Sequence, residues 1–563
     1  MAHDDRPFWA QDQDLTISSP AHPFSQPTLE PDSSVSIAAA QTPSGPTMSD
    51  EVSFISGIGP DGTVAPISFD TWTGGTPAQY GTEGYLGKWG LPTAGTPGGT
   101  VDYYFSRDSH WTAKEKTALA SGLQLWSDVA NIQFTHTQSK SAAEIIFVRG
   151  KDGSAYEQAS TTAIAHAGSS TIPQNEVAHI SIDTSVRGFG PIGASFSEYG
   201  GYPWDTLVHE EGHAIGLGHA GPYNGTVHTQ TQQFSAYDSR IWSIMSYIDP
   251  SEGAKYSSQY PVSADWGDYV PETPMPLDIL AAQRLYGAPT DTALSGGQTF
   301  GFNCNITDGT KPYFDFTVNQ VPVVTLYDIG AHNRLDLSGY DTSSHVNLNA
   351  GTYSSCAGLT HNVAIAFDTQ IDTAIGGSAN DKLVANADGD NLWGGSGNDH
   401  LIGGDGHEVL NGQKGHDVLA GGDGNDVLNG GPGADVLKGG AGADRFVFAA
   451  ASDSTGTHYD TISGFDPTQG DKIHLSLHVA ALDNEIANGA LSKASFNSDL
   501  AAAAGNLQSH HAVLFAPDSG SLSGHIFLIV DANGEAGYQP GADYVIQLSH
   551  ASDLGQLTTA NFS

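Results

Sequence analysis

A nine-residue repeat runs from Gly376 to Val447 and constrains the fold of this chain more than any other sequence feature. Each unit follows the template G-G-x-G-x-D-x-L-x, and eight units follow one another in register. A single apolar residue in nine cannot build a core within one unit, so neighbouring units must stack to bury their leucines. The repeat therefore predicts a parallel β-roll with glycine-rich turns. A flexible Gly/Asp linker is the alternative, and the unbroken register argues against it.

The sixth position of the template is acidic in all eight units. Backbone carbonyls that converge in glycine turns, completed by a carboxylate, provide the oxygen ligands that calcium prefers. The candidate ligands of several structural calcium ions are Asp381, Asp390, Asp399, Asp417, Asp426, Asp435, Asp444, Gly394, Gly395, Gly397, Gly421, Gly422, Gly424, Gly430, Gly431 and Gly433. Without calcium the stacked carboxylates would repel one another, so folding of the roll should depend on this ion.

Two units depart from the template. The second begins at Ala385 and lacks the leading Gly-Gly, and the fourth carries Glu408 in place of Asp. Glutamate reaches farther than aspartate, so Glu408 serves either a distorted site or none. These departures put two individual calcium sites in doubt and leave the stacking of the roll unaffected.

A second motif lies in a predicted helix that begins at about Thr206, with Asp205 or Thr206 as its cap. His209 and His213 are four residues apart, so both imidazoles project from one helix face at a separation that one metal ion bridges. Glu210 follows the first histidine directly. Its carboxylate is therefore expected beside the metal, where it can accept a proton from metal-bound water.

The motif continues with a glycine and a third histidine. Gly216 is expected to end the helix, because glycine readily adopts the left-handed conformation that reverses the chain. The reversal brings His219 to the metal as a third ligand. Three protein ligands leave one position open for water, which indicates one catalytic zinc ion. Ordinary histidines on an amphipathic helix are the alternative, and the extended pattern argues against them.

The composition limits the partners of the chain. Its 563 residues include 20 Lys and Arg against 62 Asp and Glu, a formal net charge of −42. So acidic a surface gains nothing from counterion release, and nucleic acid is not an expected partner. No apolar run approaches the roughly 18 residues of a membrane-spanning helix. The two cysteines, Cys304 and Cys356, exclude a disulfide framework and a cysteine-based zinc site, and leave one bridge between them open.

The pattern H-E-x-x-H-x-x-G-x-x-H resembles the signature of the metzincin metalloproteases. The residues after the third histidine resemble the serralysin branch, with Ala220 where that branch usually has Pro. Downstream, the segment Ser243–Tyr247 is similar to the Met-turn of the family. The resemblance implies that Met245 forms an apolar floor beneath the zinc. It also implies that Tyr247 is an additional, switchable zinc ligand with a catalytic role.

The resemblance implies a metalloendopeptidase that hydrolyses internal peptide bonds of proteins. In that reaction Glu210 is the general base toward zinc-activated water, and Tyr247 donates a hydrogen bond to the oxyanion. The segment Thr162–Ala167 lies where the family has an edge strand that pairs with the substrate backbone. On that interpretation His166 is a residue of the cleft wall and not a ligand.

The repeat is also typical of RTX proteins, and the similarity to serralysins extends over residues 100 to 550. In that family a type I secretion apparatus reads an uncleaved C-terminal signal, which would account for the absence of a secretory signal in Met1–Ala10. The resemblance therefore implies a secreted, extracellular protein, with association to the cell surface left open. Its expected partners are protein or peptide substrates, the secretion apparatus and a proteinaceous inhibitor, and the chain is expected to be a monomer.

The predicted architecture is an α+β metzincin catalytic domain followed by an all-β C-terminal domain that contains the roll. Residues 1–75 are rich in Ser, Pro, Thr and Gln and are predicted to be an N-terminal extension, a propeptide that covers the cleft of a zymogen. The remaining predicted divisions are the catalytic domain 76–288, a β-rich segment 289–375, the β-roll 376–447 and a C-terminal β cap with the secretion signal, 448–563.

Two other functions fit parts of the sequence. A calcium-binding surface protein with an inert protease domain would also carry the repeat, but both Glu210 and Tyr247 are present. A different RTX hydrolase, such as a lipase, would need a nucleophile elbow, and the chain contains no G-x-S-x-G. A zinc protease therefore remains the favoured hypothesis.

Overall fold

The computed structural model describes residues 45–65, 87–151, 155–161, 166–184, 201–223, 227–250 and 253–563, with the backbone alone for 159–161. The α-helices within these ranges are α1 (Met48–Ser56), α2 (Ala113–Val129), α3 (Tyr202–Ala214), α4 (Thr229–Gln232), α5 (Pro276–Tyr286), α6 (Lys311–Phe314) and α7 (Phe496–Ala503). None of the helices in this part of the chain is both long and apolar enough to cross a membrane.

A five-stranded sheet forms one side of the N-terminal part. Its strands are β1 (Gly99–Phe105), β2 (Ile132–His136), β3 (Ile145–Arg149), β4 (Ala155–Thr161) and β5 (Asn175–Ile182). They lie in the order β2-β1-β3-β5-β4, and β4 runs antiparallel to β5 while the other neighbours are parallel. The antiparallel strand β4 is therefore an edge of the sheet.

Helix α2 begins with a capping box formed by Thr112 and Glu115. The Glu115 amide donates to the Thr112 hydroxyl over 3.3 Å, and the Thr112 amide donates to the Glu115 carboxylate over 2.7 Å. One face of the helix is apolar and buried, with Leu119, Leu123, Trp126 and Ala130 no more than 1% exposed. The Trp126 indole N–H donates to the Val208 carbonyl over 3.1 Å and so fixes α2 against α3.

Helix α1 lies inside the segment that the sequence assigns to an unstructured extension. Its residues Val52 and Ile55 are buried in the main core. From α5, Arg284 donates to the Ser53 hydroxyl over 2.8 Å and to the Ile58 carbonyl over 3.1 Å. A helix this short is stabilised by tertiary packing more than by its own sequence. Helix α1 therefore packs with the folded body, although it lies within the predicted extension 1–75.

Short strands follow α5 and lead into the repeats. They are β6 (Thr299–Gly301), β7 (Val324–Leu326), β8 (Arg334–Asp336), β9 (His345–Asn347), β10 (Tyr353–Ser354) and β11 (Val363–Ile365). Strands β10, β11 and β7 form a small sheet of their own. Cys304 and Cys356 are both buried free thiols, so no bridge joins them in this structure.

The repeats form the predicted β-roll. Its strands are β12 (Thr373–Ile375), β13 (Lys382–Val384), β14 (Asn391–Ser396), β15 (His400–Ile402), β16 (Val409–Lys414), β17 (Val418–Asp423), β18 (Val427–Asn429), β19 (Val436–Ala441) and β20 (Arg445–Phe448). Alternate units pair in parallel, so that Leu392 aligns with Leu410 and Leu401 aligns with Leu419. The inward residues of the eighth position are at most 1% exposed: Leu383, Leu392, Leu401, Leu410, Leu419, Leu428, Leu437 and Phe446.

The two sheets of the roll extend beyond the repeats on both sides. The last strands are β21 (Asp460–Ser463), β22 (Lys472–Leu475), β23 (Ala481–Leu482), β24 (His511–Phe515), β25 (Phe527–Val530) and β26 (Tyr544–Ser549). One sheet has the order β22-β20-β18-β16-β14-β12-β8-β6, and the other β23-β24-β25-β26-β21-β19-β17-β15-β13-β9. One cluster of buried apolar residues continues from Val52 to Leu557. The buried core therefore continues across the predicted domain boundaries at 288, 375 and 447.

Candidate metal centre

Three histidines converge at the C-terminal end of α3. The helix begins at Tyr202 and not at the predicted Thr206, and it carries His209 and His213. Beyond it the chain turns back at Gly216, whose φ is 100° and where a Cβ would lie 2.6 Å from the Gly87 carbonyl oxygen. The turn brings His219 to the other two, and one ring nitrogen of each lies within 4.8 Å of the others.

Backbone carbonyls orient two of these rings. The His209 Nδ1 lies 2.9 Å from the Ile244 carbonyl oxygen, and the His213 Nδ1 lies 2.8 Å from the Leu217 carbonyl oxygen. A carbonyl only accepts, so Nδ1 is protonated in both rings and Nε2 remains available to a metal ion. The His213 and His219 Nε2 atoms are 3.1 Å apart. Two nitrogens bound to one tetrahedral zinc are about 3.3 Å apart, so the site fits this ion.

Burial keeps the three imidazoles neutral. It lowers the pKa of His213 to about 4, and the pKa values of His209 and His219 fall well below their ordinary value. Proximity to the other histidines lowers the last two further. Only a neutral imidazole has a lone pair to offer a cation. The electrostatics of the site therefore favour metal binding.

The segment below the metal centre is fixed by an acid that the sequence interpretation missed. Asp278, on α5, accepts hydrogen bonds from the Ser243 hydroxyl over 2.6 Å and the Ile244 amide over 2.7 Å. These bonds hold the turn that carries Met245, which is fully buried. A Cβ at Gly212 would lie 2.7 Å from the Met245 sulfur, so this side chain lies directly against α3. Asp278 lies in the first turn of α5, and an acid close to a helix start was the available sequence signal for it.

Tyr247 lies at the third histidine. Its hydroxyl is 2.9 Å from the His219 Nε2, and its ring stacks on Tyr223 with the centroids 5.0 Å apart. The Tyr223 hydroxyl in turn donates to Asp238 over 2.6 Å. The Tyr247 hydroxyl is thus held where a metal ion bound by the three histidines would be its neighbour.

Glu210 is buried beside the histidines, with 7% of its surface exposed. Burial raises the pKa of its carboxyl to about 8, and a hydrogen bond from the Glu157 backbone opposes that rise. A divalent cation nearby would favour the ionised form. The contact places β4 next to the general base that the sequence predicts.

The strand at the edge of the described sheet is β4, which ends at Thr161, directly before the segment 162–167 that the sequence interpretation assigned to the edge strand. Residues 162–165 lie outside the described residues, and His166 is an exposed residue of a turn. Glu157 on β4 faces Glu210, and burial together with the charge of Glu210 raises its pKa to about 8. Register along an edge strand depends on its partner, which the sequence alone does not define.

Glu211 is the neighbour of Glu210, but it points to the opposite side of α3. It is fully buried, and neither carboxylate oxygen has a hydrogen-bond partner among the described residues. A Cβ at Gly122 would lie 2.1 Å from its Oε2, so the carboxyl lies between α2 and α3. Burial raises the pKa of this group well above its ordinary value.

Replacing Glu211 with leucine is therefore expected to raise the free energy of unfolding by about 1–3 kcal/mol, the cost of an unsatisfied buried polar group. Leucine is similar in volume and needs no partner. Chemical denaturation followed by tryptophan fluorescence would measure the change, because Trp126 lies in the same interface. A less stable Glu211→Leu protein would show that the carboxyl contributes to the fold.

The acids of the roll form two ladders. In each ladder, one carboxylate oxygen of an acid accepts a hydrogen bond from the backbone N–H of the acid two units earlier. The acids that accept such a bond, over 2.8–3.0 Å, are Asp399, Asp417, Asp426, Asp435 and Asp444. The other oxygen of each of these five is buried, and it has no hydrogen-bond partner within the ranges that the structure describes. Such oxygens fit a hard cation such as calcium.

The remaining predicted calcium ligands differ from one another. Asp390 has one unpartnered oxygen, and Glu408 has two. Both Asp381 oxygens accept backbone amides, from Ser344 and Gly377 over 2.6 Å each, so Asp381 is the least available of the predicted acids.

The glycines of the repeat allow the acids to lie inside the turns. A Cβ at Gly394 would lie 2.4 Å from the Asp399 Oδ2, and this contact recurs at Gly421 and Gly430. Other predicted glycines have positive φ values: Gly395, Gly397, Gly422, Gly424 and Gly431. At Gly433 a Cβ would instead lie 1.8 Å from the Gly415 carbonyl oxygen, two units earlier. A larger residue at Gly394, Gly421 or Gly430 would therefore displace a carboxylate from its turn.

Two acids beyond the repeats continue the ladders. The Asp435 amide donates to Asp460 over 2.8 Å, and the Asp444 amide donates to Asp471 over 3.0 Å. One Asp460 oxygen is also buried and unpartnered. The sequence interpretation did not include them among the calcium ligands, because their spacing breaks the nine-residue period.

Comparisons with known proteins found similarities to serralysin-type proteins. Residues 291–512 match the family model described as Peptidase M10 serralysin C terminal. The chain is similar to Serralysin C of Dickeya chrysanthemi, with 37% identity over 273 residues, 46% of this chain and 51% of that protein. It is similar to Metallopeptidase AprA of Pseudomonas marginalis, with 33% identity over 285 residues, 49% of this chain and 55% of that protein.

A third relative is Serralysin of Photorhabdus luminescens, with 31% identity over 300 residues, 51% of this chain and 55% of that protein. The chain thus spans about half the length of the curated relatives that it matches.

Proposed function

We propose that this relative of the serralysin-type metalloproteases is a secreted, zinc-dependent endopeptidase that hydrolyses internal peptide bonds of proteins. The observation that carries the proposal is the convergence of three neutral imidazoles, those of His209, His213 and His219. Glu210 lies beside them in the same buried cluster. This set provides three ligands and a base, and it leaves a coordination position open.

A zinc ion held by the three histidines would supply the polarisation of the scissile carbonyl and the acidification of a water molecule. Glu210 takes the proton of the attacking water and delivers it to the nitrogen of the leaving amine. The Tyr247 hydroxyl donates a hydrogen bond to the oxyanion of the tetrahedral intermediate, from its position 2.9 Å from the His219 Nε2. Tyr247 is also the candidate for a fourth protein ligand in the resting site.

Strand β4 is the candidate binding surface for the substrate backbone. It is the terminal strand of the five-stranded sheet, and its Glu157 backbone lies at Glu210. An extended peptide that adds to this edge would be held through its main chain, with little selection of side chains. Broad specificity is therefore part of the proposal.

Several calcium ions are proposed to hold the roll together. The unpartnered oxygens of the two ladders support this assignment, and they extend it to Asp460. Asp471 occupies the equivalent place on the other ladder. Calcium bound only by the folded roll would stabilise it through mass action. The enzyme would then reach full stability where calcium is abundant.

The similarity to serralysins also supports export by a type I secretion apparatus and an extracellular location. Proteins or peptides would be the substrates, and a proteinaceous inhibitor is a further proposed partner of a monomeric enzyme. A removable N-terminal segment remains part of the proposal, with one restriction. The Gly218 amide donates to the Ile55 carbonyl over 2.7 Å, so α1 supports the loop of His219 and removal should end before Met48.

The proposal is tested by casein hydrolysis in excess calcium, with and without a chelator that binds zinc far more tightly than calcium. The chelator is expected to abolish hydrolysis, and added zinc is expected to restore it. Constant calcium keeps the roll folded, so the readout concerns the histidine site alone. Casein hydrolysis that is insensitive to this chelator would overturn the zinc mechanism.

A further inference from the structure

Asp128 is a buried acid that the proposed peptidase reaction does not use. It lies in the last turn of α2 and is 1% exposed. Its Oδ1 accepts from the Gln124 side-chain amide over 2.8 Å and from the Thr292 hydroxyl over 3.3 Å. Its Oδ2 is buried and has no hydrogen-bond partner in the described part of the chain. An unpartnered carboxylate oxygen in the interior is costly unless a cation or a proton satisfies it.

A second acid meets Asp128 from the β-rich part of the chain. The Asp308 Oδ1 accepts from the Thr310 amide over 2.8 Å and from the Thr310 hydroxyl over 2.6 Å. The Asp308 Oδ2 is buried as well and has no hydrogen-bond partner among the described residues. The Thr310 hydroxyl, which donates its hydrogen to Asp308, is also close enough to influence the Asp128 carboxylate. The two carboxylates are therefore neighbours of the same hydroxyl group.

The electrostatics of this pair are unfavourable as they stand. Burial raises the pKa of Asp128 to about 7, and the charge of Asp308 is the next largest cause. The C-terminal end of α2 adds partial negative charge from its free carbonyl groups. No Lys, Arg or His in the described part of the chain forms an ion pair with either acid. Lys311 is the lysine nearest to Asp308 in the sequence, and its Nζ instead lies 3.8 Å from the Asp315 Oδ2.

We propose that Asp128 and Asp308 bind one calcium ion, which links the end of α2 to the loop that precedes α6. The unpartnered Oδ2 of each carboxylate would be a ligand of the ion, and the hydroxyls of Thr292 and Thr310 provide further oxygen atoms beside the two acids. Calcium accepts such all-oxygen sets and completes them with carbonyl groups or water. A proton shared between the two acids is the competing explanation.

The position of this site gives it a role separate from the roll. Helix α2 packs on α3, which carries two of the histidines, and the Asp308 loop follows the first strand of the β-rich part. The Ser121 hydroxyl of α2 also lies 3.1 Å from the Tyr313 hydroxyl in the same interface. An ion there would join the peptidase part to the β-rich part directly, independently of the nonapeptide sites.

The test is a count of bound calcium in the full chain by native mass spectrometry after loading with calcium and gel filtration. Asp308→Asn and Asp128→Asn are each expected to bind one calcium ion fewer than the wild type, and the double variant also one fewer. Asp315→Asn is the matched control, because this neighbouring acid already has Thr317 and Lys311 as partners. It is expected to keep the full count.

Asparagine preserves the shape of both side chains, and near-ultraviolet circular dichroism of each variant checks that the fold is retained. Two variants on separate elements keep the test decisive if one of them fails to fold. An unchanged calcium count in a folded Asp308→Asn or Asp128→Asn protein would overturn the proposal in favour of the shared proton. The count does not depend on peptide hydrolysis, so its outcome is separate from that of the proposed peptidase function.

Discussion

Replacing Glu210 with glutamine is expected to lower peptide hydrolysis by about a hundred- to ten-thousand-fold, the usual contribution of a positioned general base. Glutamine has almost the same shape but cannot take a proton from water. The three histidines are untouched, so zinc content should remain at one ion per chain. The measurement is kcat/KM on a fluorogenic peptide, together with the zinc content of the same preparation.

Glu211→Gln is the matched control for this prediction. The residue is the next one on the same helix and is equally buried, yet its carboxyl lies against Gly122 on α2. The control is expected to hydrolyse the peptide at close to the wild-type rate. Activity near the wild-type value in Glu210→Gln would contradict the assignment of the base, whatever the control shows.

Removal of calcium at pH 8 is expected to unfold the roll. Each site occupied at about a hundred times its Kd contributes about 2.7 kcal/mol to the folded state. Several such sites together exceed the whole stability of an average domain, which is about 5–15 kcal/mol. The change would be followed by far-ultraviolet circular dichroism during titration with a calcium chelator and then with calcium. A full β-sheet signal in the chelator at pH 8 would contradict the prediction.

The calcium-free roll is expected to be more stable in acid. Burial, followed by neighbouring acids, raises the pKa of Asp399 to about 7 and of Asp435 to about 8, from an ordinary value of 3.8. At a pH between the unfolded and the folded pKa, such a carboxyl binds more protons in the folded chain than in the unfolded chain. The stability of the calcium-free roll therefore falls as the pH rises from about 4 to 8. The stabilisation measured on adding calcium should therefore be larger at pH 8 than at pH 5.

Much of this protein is encoded in short sequence intervals. Each nonapeptide specifies its own turn and its inward leucine, so the stacking of the roll is predicted by the repeat alone. The spacing of His209 and His213 is a property of any α-helix, and the turn at Gly216 requires glycine for its positive φ. These features depend on contacts between residues that are near one another in the chain.

The other features depend on contacts between distant residues. The start of α3 at Tyr202, the place of β4 and the packing of α1 on α5 are set by partners elsewhere in the fold. Asp278 supports the metal centre from α5, through a bond to the amide of Ile244, 34 residues earlier in the chain.

The sequence by itself thus determined the repeat fold, the three histidines and Glu210, because helix and turn geometry fix the positions of residues only a few places apart. Only the tertiary structure decided which carboxylates face one another. Asp128 and Asp308 are far apart in the chain, and their shared Thr310 becomes visible only when α2 packs against the β-rich part. Burial makes the negative charge of these two carboxylates unfavourable, and the burial of a residue depends on the whole fold.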